Sequence, residues 1–453
     1  MRYLLMLLVC AFAFTSAFAQ ADPDELAARQ ADSENAFWNA DDEDLAGWQV
    51  IDDVEEGAEL TFWTMSLSPT FDDYLAQIVA NFEATYPGVS VSHEDVPFDG
   101  LQARLRNSFT AGNPPDVANI SPAWVNEFAE ADLLLDMDEA ISAYPDLRSQ
   151  YVETAWTTGA VGGTSYQVPW YLAVANFVGY NQAVLEECGL SEADLPTSWT
   201  GLRDFSNTTL EACDTYATSL NFGPATEQYL LNYLAYNDAL TINDDGTVTF
   251  EQPAATEALQ VWVDLIQNDL VPQSSLTDDH RNMIDRFSEG DTAMVIIAPH
   301  LLRIVEENNP DVYEQLAVAP GITGSSGASS VDVQSLVIAA DTEYPNAALA
   351  LATFITNAET QAEFSKWAGV FPSNLASYED PYFESSEGGQ LPQIRPLAFD
   401  YVQTADNRAV TLNNDAEVQQ AVTEATQSAL LGETTPEEAL EALETTINDI
   451  VQQ

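Results

Sequence analysis

The sequence predicts an α/β fold built around a parallel sheet, and three observations in residues 59–138 support that prediction. Strand-like and helix-like patterns alternate there, glycine and proline separate them, and aromatic or small polar residues directly follow the strand-like runs. A strand–helix–strand–helix–strand order favours parallel strands covered by helices. Because ligands of such sheets bind beyond the carboxyl ends of the strands, this stretch bears on function as well as on fold.

The first strand and the first helix are indicated by residues 60–86. Residues 60–65 (LTFWTM) are rich in β-formers, and the apolar residues from Phe71 onward recur at helical spacing. That spacing predicts a helix with one buried face. Pro87 and Gly88 end the helix.

A second strand, a second helix and a third strand follow. Residues 89–93 (VSVSH) alternate between apolar and polar side chains, which is typical of a strand. Leu101, Leu105 and Phe109 give the next segment an apolar helical face, and residues 116–120 (DVANI) predict the third strand.

The same patterns continue along the rest of the chain. A glycine-rich turn at 159–164 predicts a hairpin, and the chain leaves the first lobe at about residue 168. Further strands are indicated at 174–180, 292–298 and 331–339, and further helices at 182–188, 229–236, 254–268, 281–287, 346–355 and from 435 onward.

The chain is extremely acidic, with 73 Asp and Glu residues against 12 Lys and Arg residues and a formal net charge of -61. Nucleic acids and anionic membrane surfaces attract basic patches, so we exclude both as partners. The hydrophobic fraction of 46% is too high for a disordered chain. We interpret the acidity as adaptation to high salt, which screens the repulsion between surface charges. An acid habitat is the alternative.

Residues 1–19 have the features of a secretory signal peptide. Arg2 supplies the positive charge, an apolar run follows, and residues 17–19 (AFA) form the cleavage motif. Residues 20–57 are acidic and contain few large apolar residues, so we predict an N-terminal arm there. No later segment has 18 consecutive apolar residues, so we expect an exported, soluble monomer, either periplasmic or extracellular.

Cys188 and Cys213 are the cysteines that remain after the signal peptide. In an oxidising compartment they are candidates for one disulfide. The chain-entropy model gives a loop of this length a stabilisation of about 3 kcal/mol. Two separate buried thiols are the alternative.

Seven short segments, spread over much of the mature chain, point to one family. They are LTFW at 60–63, FEATYPGV at 82–89, AGNPPDV at 111–117, VP at 168–169, GYN at 179–181, PTSW at 196–199 and FSEGDTAM at 287–294. In this order they resemble segments of the family 1 extracellular solute-binding proteins of ABC importers.

The resemblance implies a two-lobe α/β fold of the periplasmic-binding-protein type, with a hinge and a ligand cleft between the lobes. Lobe 1 would contain 58–168 and about 319–356, and lobe 2 would contain 169–318 and about 357–453. The ligand would be passed to an ABC permease in the membrane.

Position in the family gives a set of candidate ligand-binding residues. Aromatic rings suit the C–H faces of a sugar, and polar side chains suit its hydroxyls. The candidates are Trp63, Ser66, Asn119, Ser121, Trp124, Trp170, Tyr171, His300, Ser329, Ser330, Asp332, Arg395 and Phe399. Each has an ordinary structural alternative: the aromatic residues as core, the serines as helix caps or turn residues, and Asp332 as a surface acid.

We therefore expect a carbohydrate receptor that has no catalytic activity and needs no metal or cofactor. The sequence contains no G-x-S-x-G elbow, no H-E-x-x-H motif and no phosphate-binding P-loop. A binding protein for a polyol or a sugar phosphate is one alternative. A secreted glycan-active hydrolase is the other, because such enzymes use paired carboxylates.

Overall fold

A computed structural model describes residues 48–174, 177–223, 229–243, 246–298, 302–328, 331–386, 394–403, 406, 408, 410, 412 and 415–452. The predicted signal peptide and residues 20–47 of the predicted arm lie outside the described residues, as do His300, Ser329 and Ser330. The chain divides into two compact units. Unit 1 comprises Met1–Leu172 and Val333–Asp380, and unit 2 comprises Ala173–Asp332 and Pro381–Gln453.

The strands of the described residues include the predicted strands and further strands that the sequence did not predict. They are β1 (Glu59–Met65), β2 (Ser90–Val96), β3 (Val117–Ile120), β4 (Ala160–Val161), β5 (Thr164–Ser165), β6 (Val168–Val174), β7 (Phe177–Asn181), β8 (Leu240–Ile242), β9 (Val248–Phe250), β10 (Met294–Ile297), β11 (Leu316–Pro320), β12 (Val331–Ile338) and β13 (Phe371–Pro372).

The α-helices likewise include the predicted helices and further helices that the sequence did not predict. They are α1 (Asp72–Thr85), α2 (Phe98–Ala111), α3 (Val125–Ala129), α4 (Met137–Ala140), α5 (Glu153–Thr157), α6 (Gln182–Glu187), α7 (Trp199–Cys213), α8 (Tyr229–Tyr236), α9 (Ala254–Gln267), α10 (His280–Glu289), α11 (Leu302–Asn308), α12 (Pro310–Glu314), α13 (Pro345–Ile355), α14 (Ala358–Ala368), α15 (Arg395–Gln403), α16 (Asp415–Leu430) and α17 (Pro436–Val451). As the sequence predicts, the last helix starts with a capping box between Thr435 and Glu438.

A six-stranded sheet forms the centre of unit 1, in the order β13-β6-β12-β3-β1-β2. β1 pairs in parallel with both β2 and β3, which confirms the prediction of parallel strands. β12 is antiparallel to β3, with Ser335 opposite Ile120. The first residues of β12 therefore lie at the same edge of the sheet as the carboxyl ends of β1 and β3.

The two faces of this sheet carry separate apolar clusters because side chains alternate along each strand. Phe62 of β1 and Val117 of β3 belong to a cluster that also contains apolar residues of α1 and α13. Met65 and Ile120 face the other side, in a cluster with Leu101 and other residues of α2 and α3.

Residues 48–57 pack against unit 1, so the prediction that the N-terminal arm extends to residue 57 is wrong. Ile51 is 2% exposed, and its N–H donates to the Tyr86 hydroxyl at 3.2 Å. The rings of Trp48 and Phe354 meet edge to face, with centroids 5.8 Å apart. Trp48 and Ile51 thus pack on the core, whereas Val50 of the same segment is 44% exposed.

Unit 2 has a three-stranded antiparallel sheet in the order β10-β7-β11, and helices supply most of its core. In that core the rings of Tyr233 and Trp262 stack with centroids 4.2 Å apart. The predicted disulfide is present: Cys188, just after α6, is bonded to Cys213 at the end of α7, with Cα atoms 5.0 Å apart.

The boundaries between the units differ from those expected for the lobes. The chain passes between them at 172/173, 332/333 and 380/381. Residues 319–332 fall in unit 2, because β11 pairs with β7 there. Residues 357–380 fall in unit 1, because β13 pairs with β6. Pairings over such distances leave no local signal in the sequence.

Within the described ranges, no helix is long and apolar enough to cross a membrane.

Candidate functional site

Trp63 lies near the carboxyl end of β1 and is half-buried. The guanidinium carbon of Arg104 lies 4.2 Å from the centroid of its ring. Arg104 also forms a bidentate ion pair with Glu94 on the neighbouring strand, at 2.8 and 2.7 Å. The cation is thus held against the π-face of the indole by a carboxylate. One face of Trp63 is occupied by the protein itself.

Ser66 directly follows β1 and adopts a strained backbone conformation. Its φ of 52° lies in the left-handed region, which few residues other than glycine adopt. The Ser66 N–H donates to Val96 O at 3.0 Å, and its Oγ accepts the Phe98 N–H at 2.8 Å. The Ser66 hydroxyl therefore anchors the start of α2. This matches the structural alternative for the serines, in which they are helix caps or turn residues.

Ser121 and Trp124 follow β3 and are both partly exposed. Ser121 directly precedes the short 3₁₀ helix Pro122–Trp124, but its side chain makes no capping bond to that helix. The ring of Trp124 lies 5.3 Å from the ring of Phe98. Both rings pack on the same apolar cluster as Trp63. Phe98 was not among the predicted residues, because it starts a helix without a recognisable capping signal.

Asn119 is 0% exposed, so the structure places this predicted ligand contact inside the sheet. Its Nδ2 donates to Ser335 O at 3.2 Å across the β3–β12 pair. Among the described residues, its Oδ1 has no hydrogen-bond partner. The side chain is enclosed within the sheet, where it links two strands that are distant in sequence.

Trp170 and Tyr171 also belong to the core rather than to an accessible site. Trp170 is 0% exposed, and its ring stacks on Phe364 with centroids 5.1 Å apart. The Tyr171 ring lies 5.2 Å from the same phenyl ring. These two residues take the core alternative, because β6 runs inside the sheet of unit 1, where α14 covers it.

Asp332 is the second residue of β12, at the sheet edge defined above. Its carboxylate has no hydrogen bond or ion pair with another described residue. Burial raises its pKa to about 6, because removal from water disfavours the charged form. The side chain is partly exposed, and an acid withdrawn from water without a partner is costly unless something donates hydrogen bonds to it. Asp332 is thus suited to receive hydroxyl donors from a ligand.

Arg395 and Phe399 lie on α15 in unit 2. Arg395 is 3% exposed, and its guanidinium carbon lies 4.0 Å from the centroid of the Tyr382 ring. This buried cation–π contact places Arg395 in the packing of unit 2. Phe399, in contrast, is 39% exposed.

The part of the chain that the structure describes contains no group of three or more His, Cys, Asp or Glu side chains arranged to hold a metal ion.

Comparison with known proteins gives a consistent picture. Residues 68–362 match the family described as bacterial extracellular solute-binding protein. A provisionally named binding protein of Brucella abortus (strain 2308) is 23% identical over 346 residues, which cover 75% of this chain and 82% of that protein.

Two solved structures are similar over most of the chain. One is a provisionally named oligosaccharide periplasmic-binding protein from Synechococcus sp. MITs9220, with a TM-score of 0.74, 23% identity, and coverage of 87% of this chain and 99% of that one. The other is the sugar-binding protein MalE from Xanthomonas citri, with a TM-score of 0.72, 20% identity, and coverage of 87% and 98%. These likenesses confirm the predicted two-lobe α/β fold.

Proposed function

Because this chain belongs to the family of bacterial extracellular solute-binding proteins, we propose that it is an exported receptor that binds a carbohydrate and delivers it to an ABC importer. The family assignment supports a binding role outside the cytoplasm. The choice of a carbohydrate is supported by the sugar-binding names of the two similar structures and by the chemistry of the candidate residues.

The observation that carries the proposal is the position of Asp332. Asp332 is the second residue of β12 and lies three residues before Ser335, which pairs with Ile120 at the end of β3. Its side chain is partly buried and makes no hydrogen bond or ion pair with another described residue, so hydroxyl donors would offset part of the desolvation that raises its pKa to about 6.

The aromatic part of the proposed site is the surface formed by Trp124 and Phe98. Both rings are partly buried, so each keeps an accessible portion while the rest is fixed by packing. Rings held in this way can stack on the C–H face of a sugar with little loss of side-chain entropy. Trp63 contributes less, because Arg104 covers one face of its indole.

We propose binding without catalysis. A polyol or sugar phosphate is the second candidate within the binding class, and burial of Arg395 weakens the phosphate version. A glycan-active hydrolase remains the alternative from another class, with no particular observation in its favour.

Isothermal titration calorimetry with a panel of oligosaccharides at high salt, followed by chromatography of the mixtures, tests this proposal. We expect tight binding and no new product. Turnover of any sugar would refute the receptor role. Binding of sugar phosphates alone would refute the proposal that the ligand is a neutral carbohydrate.

Trp124→Ala tests the aromatic surface in the same titration. We expect affinity to fall about tenfold or more, as for other buried aromatic anchors. Phe109→Ala is the matched control, because Phe109 packs on the same cluster from the opposite end of α2. Equal losses of affinity in both variants would contradict the proposal that Trp124 contacts the ligand.

A further inference from the structure

Three polar side chains form a hydrogen-bonded relay at the carboxyl ends of β1 and β2. Thr64 Oγ1 lies 2.8 Å from Nε2 of His93 and 2.7 Å from Oδ1 of Asp95. Thr64 is fully buried between them, so water does not substitute for either contact. Among the predictions from sequence, none gave these three residues a role.

The chemistry of the groups fixes the direction of the two hydrogen bonds. A threonine hydroxyl has one proton, and an ionised carboxylate only accepts. Thr64 therefore donates to Asp95, and the Nε2–H of His93 must donate to Thr64. Burial lowers the pKa of His93, against the opposing effect of Asp95, Asp72 and Glu94, which favours the neutral form of the ring.

The relay ends on the backbone of the loop that connects β1 to α1. Asp95 Oδ1 also accepts the N–H of Leu67 at 2.9 Å, and Leu67 is buried. The adjacent Ser66 N–H donates to Val96 O at 3.0 Å. Loop 66–71 is thus fastened to the end of β2, and its shape depends on the orientation of the Asp95 carboxylate.

We propose that His93 is a positioning residue which, through Thr64 and Asp95, holds loop 66–71 in its ligand-binding conformation. This inference rests on the proposed function, because the loop follows β1 at the edge of the sheet where the ligand is expected. His93 itself does not touch the ligand. Its ring borders a surface groove that α1 and β2 line with Asp72, Glu83 and Val91, among others.

The test compares His93→Leu with His93→Gln, because the amide nitrogen of glutamine can replace Nε2 as the donor. Amide hydrogen exchange of Leu67 is measured in the ligand-free protein, and affinity is measured with the best oligosaccharide of the panel. We expect His93→Leu to speed Leu67 exchange and to weaken binding about tenfold. We expect His93→Gln to restore both values to within about threefold of the wild type.

Ser92→Leu is the control, since Ser92 is exposed on the same strand and points away from the relay. Unchanged Leu67 exchange in His93→Leu would overturn the proposal, and so would an unchanged affinity. Failure of His93→Gln to rescue would also overturn it, because a loss of packing alone would then explain the leucine variant. If the wild type binds no sugar, the proposed function fails, and the exchange of Leu67 still shows whether the relay positions the loop.

Discussion

The indole of Trp170 stacks on the phenyl ring of Phe364, with centroids 5.1 Å apart and ring planes inclined by 25°. Both residues are fully buried in the core of unit 1. This contact joins β6 to α14, two elements separated by most of unit 2 in the sequence. Trp170 therefore stabilises the fold directly.

Trp170→Ala is expected to destabilise the protein by about 3–5 kcal/mol, the usual cost of removing a large aromatic side chain from a packed core. Urea unfolding at constant high salt measures the change. Trp124→Ala provides the comparison, because Trp124 is only partly buried and should cost less. Similar small losses in both variants would contradict the assignment of Trp170 to the core.

Gly324→Ala is expected to destabilise the protein because a Cβ at Gly324 would lie 2.1 Å from Tyr236 O. The obstacle is backbone at the end of α8, so the cost should fall at or above the upper end of the usual range of about 1–3 kcal/mol for overpacking. The loop around Gly324 is fastened there, since Ser325 Oγ and Ser326 Oγ donate to Asn237 O and Tyr236 O at 2.7 Å.

Gly100→Ala is the matched control for Gly324→Ala. Gly100 lies within α2, and no heavy atom lies within 4 Å of its added Cβ. Alanine should stabilise that helix by about 0.5–1 kcal/mol. Thermal unfolding distinguishes the two variants by the sign of the change in Tm, and a matching sign would contradict the close approach at Gly324.

Replacing both Cys188 and Cys213 with alanine should lower the free energy of unfolding by about 3 kcal/mol, the value expected for a loop of this length. The sequence separation of the two residues is 25. Denaturant unfolding of the double variant, compared with the oxidised wild type, gives the difference. Adding a reductant should destabilise the wild type and leave the double variant unchanged; an equal effect on both would argue against the bond.

Asp332→Asn should raise stability above about pH 6 and lose that advantage as the pH falls. The pKa of Asp332 is raised to about 6 in the folded protein, whereas its ordinary value is 3.8. Between these values the folded protein binds a proton that the unfolded chain does not, so this group makes the wild type more stable as the pH decreases. Above about 6 the buried charge is a constant penalty, which asparagine removes. Denaturant unfolding of the wild type and the variant at about pH 8 and about pH 4 gives the difference in their free energies of unfolding at each pH. The same difference at both pH values would contradict the raised pKa of this carboxyl group.

Local features of the fold were predictable because they depend on short-range patterns. The strand around Phe62, the helix that ends before Pro87 and Gly88, and the capping box at Thr435 each follow from a few neighbouring residues. The apolar spacing that predicts a helix or strand is also what buries its inner face.

The candidate site was less predictable, because burial depends on partners that are remote in sequence. Nothing near Trp170 reveals that Phe364 will cover its ring, and nothing near Asn119 reveals Ser335. The relay of Thr64, His93 and Asp95 was missed for a similar reason. Its residues are ordinary strand residues until parallel pairing brings β1 and β2 together.

The bond from Asn119 to Ser335 spans 216 positions in the chain. β12 fills a central place in its sheet, between β3 and β6, yet the ribosome makes it only after most of unit 2. Until then, β3 has an open edge that can pair with other chains. Pairing between strands so distant in sequence raises the contact order, which tends to slow folding. Translation thus leaves the sheet of unit 1 incomplete until β12 has been made.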